Sequence, residues 1–110
     1  MPSPIYDSIK DAIRNKRQVI AYYRNHRREM CPHAIGTKHG VPHVLFYQFG
    51  GTSGSKPIEP DGSHANWRCM QIDQLSQVII QDGAWHTATG GGHTRRESCI
   101  DWVDAEVRHW

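Results

Sequence analysis

The hydrophobic period of this chain changes once, at Gln18, and that change limits what it can fold into. Before it, Ile5, Ile9, Ala12 and Ile13 recur at helical spacing on one face. Ser3-Pro4 supplies an N-cap followed by proline at the first helical position. Asp7 near the start and Arg14, Lys16 and Arg17 near the end suit the helix dipole. The pattern predicts one short helix over residues 4–15, apolar on a single face and made to cover something else. After Gln18 the apolar residues come in short β-branched and aromatic runs, the signature of strands.

The runs are closely spaced. Val19 to Tyr23 ends at Arg24-Asn25-His26, a turn; Arg28 to Ile35 reads as a second strand, with Pro32 marking an edge or a bulge. Lys38-His39-Gly40 is another turn, and Val41 to Phe49 is the strongest strand of the chain. Residues 50–66 are a long loop, opening on a Gly/Ser-rich stretch, and a loop of that length in a small domain is functional or mobile. Trp67 to Ile72 and Gln77 to Ile80 resume strand character around a turn near Asp73. Beyond Asp82-Gly83 and Gly90-Gly91-Gly92, residues 81–110 form a C-terminal extension. Its segment Ile100 to Val107 fits either a strand or a helix, and alternation favours the strand. The fold class expected is therefore mainly β with one N-terminal helix. Short strands at close spacing point to a small β-barrel with its core in residues 18–80.

At 110 residues the chain is one domain, 1–110. Leu, Ile, Val and Phe number only 20, about 18%, a fraction that signals disorder when net charge is high. Here the net charge is +2, and four Trp and four Tyr add large apolar surfaces. A thin but adequate core follows, concentrated in residues 5–23, 41–49 and 67–80, with mobility expected in the loops around it. No run approaches the roughly 18–20 apolar residues that a bilayer requires, so no membrane role is read. The N-terminus has neither a basic nor an apolar signal region. Cys31, Cys69 and Cys99 are an odd, sparse set, unlike a paired secreted framework, and a reduced, cytoplasmic protein is the expectation.

The small net charge conceals an asymmetry. Residues 1–40 carry eight Lys/Arg against three acids, a balance of +5, whereas residues 41–110 carry five against eight, a balance of −3. Between Arg14 and Arg28 six basic residues run without a carboxylate, a block able to neutralise phosphates or to form a solvated face. Arg24, His26, Arg27 and Arg28 cluster at one hairpin, Arg68 enters a strand beside Trp67, and Tyr22, Tyr23 and Tyr47 could offer stacking faces or fill the core. The candidate anion-binding set is Arg24, Arg27, Arg28, Tyr47 and Arg68.

Other chemistries find less support. Eight His and three Cys are a rich supply of ligands, but no Cys-x-x-Cys occurs and the spacings match no zinc module, so no metal and no cofactor is expected. Gly51-Thr52-Ser53-Gly54-Ser55 misses the nucleophile-elbow pattern at its fifth position, and Gly54-Ser55-Lys56 lacks the phosphate-loop order. Gly90-Gly91-Gly92-His93-Thr94-Arg95-Arg96 is either an anion nest or a flexible linker, with the linker favoured. A domain this small offers little room for a buried active site, so the protein is not read as an enzyme.

The order of these elements resembles the WYL family of bacterial domains. A helix (Ile9 to Ile13) feeds a strand ending in an aromatic (Val19-Ile20-Ala21-Tyr22). Then come an Arg and a Pro separated by three residues (Arg28-Glu29-Met30-Cys31-Pro32), and Gly40 leading into His43-Val44-Leu45-Phe46-Tyr47. Last is an apolar-x-apolar-Asp-x-apolar stretch, Met70-Gln71-Ile72-Asp73-Gln74-Leu75. The likeness covers roughly residues 5–80. The family's naming triplet falls at His43-Val44-Leu45, where only the Leu matches. Gln71 and Gln74 stand where arginine is usual, and no helix-turn-helix domain is expected within these 110 residues, which leave no room for one. The resemblance implies an SH3-like (Sm-like) barrel and a non-enzymatic regulatory or ligand-binding domain. Its expected ligand is anionic, such as a nucleic acid fragment or nucleotide. The alternative is a protein–protein interaction module that meets its partner through the 50–66 loop.

Overall fold

A computed structural model describes residues 4–54, 57–89 and 99–107. Helix α1 (Pro4–Asn15) is followed by strands β1 (Gln18–Tyr23), β2 (His26–Lys38), β3 (Val41–Gly51), β4 (Trp67–Gln71), β5 (Ser76–Gln81) and β6 (Trp102–Glu106). Short 3-10 turns lie at His64–Asn66 and Ile72–Gln74. The helix, the strand runs and the extended form of the C-terminal segment occur where the change of period places them. Ser3 and the run from Gly90 to Arg96 lie outside the described residues.

All pairings are antiparallel, in the order β4-β3-β2-β1-β5, with β6 added to β2. The sheet does not close, which corrects the closed barrel expected from strand spacing. The 3-10 turn at Ile72–Gln74 carries the chain off β4, and β5 then pairs with β1 instead of folding back, so β4 and β5 stay at opposite ends. β2 is longer than its apolar run because it serves two partners along one edge. Its first half pairs with β1 (Val19↔Met30 to Tyr23↔His26) and its second half with β6 (Ala34↔Glu106 to Thr37↔Trp102). The switch occurs beside Pro32, where the β2–β3 register shifts between Pro32 and Ala34; the proline has no N–H to give a ladder, so the irregularity costs little there.

Both faces of the sheet are covered. Side chains alternate along β3, so Val44 and Phe46 face one layer while Leu45 and Tyr47 face the other. On the first face α1 lays down Tyr6, Ile9, Ala12 and Ile13 against Val19, Ala21, Met30, Ile35 and Met70. On the second, Leu45, Tyr47 and Trp67 pack with Ala34, Cys99 and Ile100. The segment 99–107 serves both faces: Cys99 and Ile100 pack on the second, and Ala105 and Val107 on the first. It is held by Asp101 N donating to Thr37 O (2.9 Å) and Val107 N to His33 O (2.8 Å). Tyr6 Oη donates to Asp104 (2.7 Å) and Lys10 Nζ pairs with it at 3.1 Å, which ties α1 to β6.

Gly36 is required by this arrangement: a Cβ there would stand 1.9 Å from the Trp102 carbonyl oxygen. Cys69 and Cys99 form a disulfide, and only Cys31 is free. This corrects the reading of three unpaired, reduced cysteines and removes that argument for a reducing compartment. The pair is 30 residues apart, with no local spacing to announce it. No described helix is long and apolar enough to cross a membrane.

Candidate functional site: a cationic cleft beside an edge strand

The β1–β2 hairpin turns on Arg24 and Asn25, with φ of 53° and 65°. Two consecutive left-handed residues make the tight connection whose twist matches the strands, a place usually given to Asn and Gly. An arginine there costs on the order of 1 kcal/mol, and such strain is found where the side chain's position matters. The turn projects Arg24 over the mouth of a cleft of about 500 Å³. Tyr23, Arg24, His26 and Arg28 form one wall, Ser53 and Gly54 a second, and Trp67 to Met70 of β4 the third.

Arg28 is the unusual residue. It is only 4% exposed, yet none of its hydrogen-bond partners is a carboxylate. Its Nε and Nη2 donate to Tyr23 O (3.3 and 3.2 Å), and Nη1 donates to Gln48 Oε1 (3.4 Å) and Ser53 Oγ (3.3 Å). The register explains the place: Ala21 faces Arg28 and Tyr23 faces His26, so Arg28 is the diagonal neighbour of Tyr23 on the same face. Its guanidinium lies over the Tyr23 ring at 5.2 Å, and that of Arg24 lies at 5.4 Å. Burial pulls the Arg28 pKa below its ordinary value; Tyr23 opposes this, and the Arg24 charge adds to it. A cation taken from water without a counter-charge is costly, and an anion entering the cleft would offset that cost.

Arg68, 7% exposed, spends its guanidinium partly on the chain beneath it. Nη1 donates to Ala65 O (2.6 Å) and Trp67 O (3.1 Å), and Nη2 to Pro57 O (3.4 Å). This fastens loop 50–66 to β4. Asn66 adds a reciprocal pair, accepting from Glu59 N (2.9 Å) and donating to Glu59 O (3.0 Å). Tyr47 Oη donates to Ser63 O (2.9 Å) and accepts from Gly62 N (2.7 Å). Residues 57–66 of the loop are thus pinned at several points, where its length alone suggested mobility.

Three of the five residues expected to bind an anion, Arg24, Arg28 and Arg68, come together on the cleft. Arg27 does not. Strand alternation sends it to the other side of β2, where it pairs with Glu29 at 2.8 Å. Tyr47 is wholly buried, packed edge-on against Trp67 at 5.1 Å, so it belongs to the core and offers no stacking face. Sequence reasoning missed Ser53 and Cys69. The first sits in a Gly/Ser run like any linker, and the second lines the cleft as part of edge strand β4, beside Arg68. Tyr23 and Trp67, the rings at the cleft, are 9% and 2% exposed, so the site offers charge without an open aromatic face. Among the described residues no group of three or more His, Cys, Asp or Glu side chains could hold a metal ion. No family model, curated protein or solved structure matches this chain.

Proposed function

We propose that the protein is a non-enzymatic ligand-binding domain, of a regulatory kind, that holds an anionic ligand in the cleft between the β1–β2 hairpin and β4. The observation that carries this reading is Arg28, a buried guanidinium with no carboxylate among its hydrogen-bond partners, lining the same concavity as Arg24 and Arg68. The open, helix-backed sheet is read as a divergent relative of the SH3-like (Sm-like) barrel of the WYL family, whose domains are thought to bind anionic ligands. A nucleotide or short nucleic-acid fragment would be held through its phosphate, because the rings at the cleft are covered and a base has nothing to stack on. Weak, micromolar-range binding that falls steeply with salt is expected.

The test is a fluorescence-anisotropy titration at low salt with a labelled single strand and a labelled nucleotide, repeated with Arg28→Gln and Arg24→Gln. Charge-assisted contacts of this kind contribute about 1.5–3 kcal/mol each, so either substitution should weaken binding about tenfold or more. Flat titrations with both probes, or binding unchanged in both variants, would overturn the proposal.

A further inference from the structure

The cleft is rich in donors and poor in acceptors. No carboxylate and no side-chain amide stands among its described lining residues. Arg28 carries five N–H groups, and its four hydrogen bonds, at 3.2–3.4 Å, leave one Nη2 N–H over. Those four are long beside the usual N–H···O distance of about 2.9 Å. Ser53 Oγ accepts one of them, so its own proton is left to give. The Arg24 guanidinium lies over the Tyr23 ring, and no described residue gives it a hydrogen bond or an ion pair. His26 has Nδ1 3.0 Å from Thr52 Oγ1, while its Nε2 faces Gly54, where a Cβ would stand 3.4 Å away. Gln48 fixes the arrangement from below. Its Nε2 donates to Gly50 O (3.0 Å) and Thr52 O (2.9 Å), which turns Oε1 towards Arg28.

We propose that the cleft is built for a terminal phosphoryl group, that of a small phosphate monoester, rather than for a carboxylate or a phosphodiester. The proposal rests on the anion-binding reading above and names the ligand class for it. Charge is the first reason. Arg24 and Arg28 bring two positive charges with no carboxylate on either, and a monoester carries about −1.5 to −2 at neutral pH. A carboxylate or a diester linkage brings only one.

Geometry is the second reason. The donors sit on separate pieces of chain: Arg24 on the turn over the mouth, Arg28 on β2, and Ser53 on the wall facing them. A monoester offers three acceptor oxygens pointing in different directions, whereas a carboxylate or a diester offers two. Arg68, already donating to backbone carbonyls, adds charge from the third wall. About 500 Å³ leaves room for a sugar-sized or nucleoside-sized body behind the phosphoryl group. Because the rings at the cleft are covered, that body adds little, and the phosphoryl group itself is what the site recognises.

The experiment is a calorimetric titration of the full chain at low salt and about pH 7.5, where a monoester is close to doubly charged. AMP and cyclic AMP share a base and a sugar and differ as monoester against diester. AMP should bind about tenfold tighter or more, the effect of one further charge-assisted contact. Glycerol phosphate, a monoester without a base, should bind within severalfold of AMP, and succinate, a dicarboxylate, about tenfold more weakly. Ser53→Ala should weaken AMP severalfold with cyclic AMP nearly unchanged, and Arg24→Gln, on the exposed turn, should bring the two nucleotides together. Equal affinities for AMP and cyclic AMP would overturn the proposal and leave the anion site standing. Glycerol phosphate that fails to bind where AMP binds would overturn it too, since the nucleoside would then be what is recognised. If none of these anions binds, the proposal falls, and the anion reading falls with it where the single strand is also flat.

Discussion

Lowering the pH from 7.5 to 5 should remove about 2 kcal/mol of folding stability through one residue, His33. This side chain is wholly buried on the second face of the sheet. Its Nδ1 donates to Cys31 O (2.9 Å), which leaves Nε2 to accept from Thr87 Oγ1 (3.0 Å). Trp67 stands edge-on to it and Trp85 tilts against it, both at 4.8 Å between centroids. Burial among these rings pushes the pKa down from 6.5 to about 4; the bond to Cys31 opposes this, and Lys16 adds to it. Because the folded value lies below the unfolded one, the unfolded chain binds more protons in that window. The contribution is therefore complete above about pH 7 and is lost as pH falls through 6.5 towards 4. Linkage gives a loss of about 2 kcal/mol at pH 5 and about 3 kcal/mol at pH 4. Asp104, which is also lowered, acts below the ordinary carboxylate value of 3.8, so its effect falls outside the window. The measurement is urea unfolding at pH 7.5, 6 and 5 with the disulfide intact, beside His33→Gln, which keeps a donor and an acceptor but cannot titrate. The midpoint of the natural protein should fall with unchanged slope in denaturant, and the variant should lose most of that pH dependence whatever its absolute stability. A midpoint constant between pH 7.5 and 5, or a variant with the same dependence as the parent, would refute the reasoning.

Two further outcomes follow from the attachment of β6. Gly36→Ala puts a methyl 1.9 Å from the Trp102 carbonyl oxygen and 2.8 Å from Ile100 Cγ2, so the β2–β6 ladder must shift. A cost of about 1–3 kcal/mol is expected, with faster amide exchange at Val103 and Ala105, and unchanged exchange there would refute it. Tyr6→Phe deletes the hydroxyl that donates to Asp104, which is the largest cause of that carboxyl's lowered pKa. The Asp104 pKa should rise in an NMR titration and stability should drop by about 1–2 kcal/mol; a carboxyl that does not move contradicts the assignment.

The local elements of this fold were legible in the sequence because their causes are local. Ile9, Ala12 and Ile13 lie on one face of any helix, and β-branched runs such as Val19-Ile20 or Val44-Leu45 favour extended chain wherever they occur. The Arg24-Asn25 turn, the irregularity beside Pro32 and the strand at 102–106 follow in the same way. What stayed illegible depends on contacts between distant residues. Strand alternation says that Arg27 and Arg28 point to opposite sides, but only the pairing of Ala21 with Arg28 decides which side is the cleft. The same holds for Tyr47, whose aromatic character suits a stacking platform or a core equally until Trp67 is seen against it.

Spacing of strands suggests closure, yet closure is settled by the direction a three-residue 3-10 turn gives the chain between β4 and β5. The disulfide is the clearest case, since nothing near Cys69 in sequence hints at Cys99. By itself, then, the sequence determined one helix, a set of short strands and a block of arginines near the first hairpin, all consequences of interactions a few residues long. The tertiary structure alone decided that the sheet stays open, that Arg28 is buried with no carboxylate among its hydrogen-bond partners, and that Cys69 and Cys99 are joined. Those outcomes require residues tens of positions apart to meet, and only the packed chain brings them together.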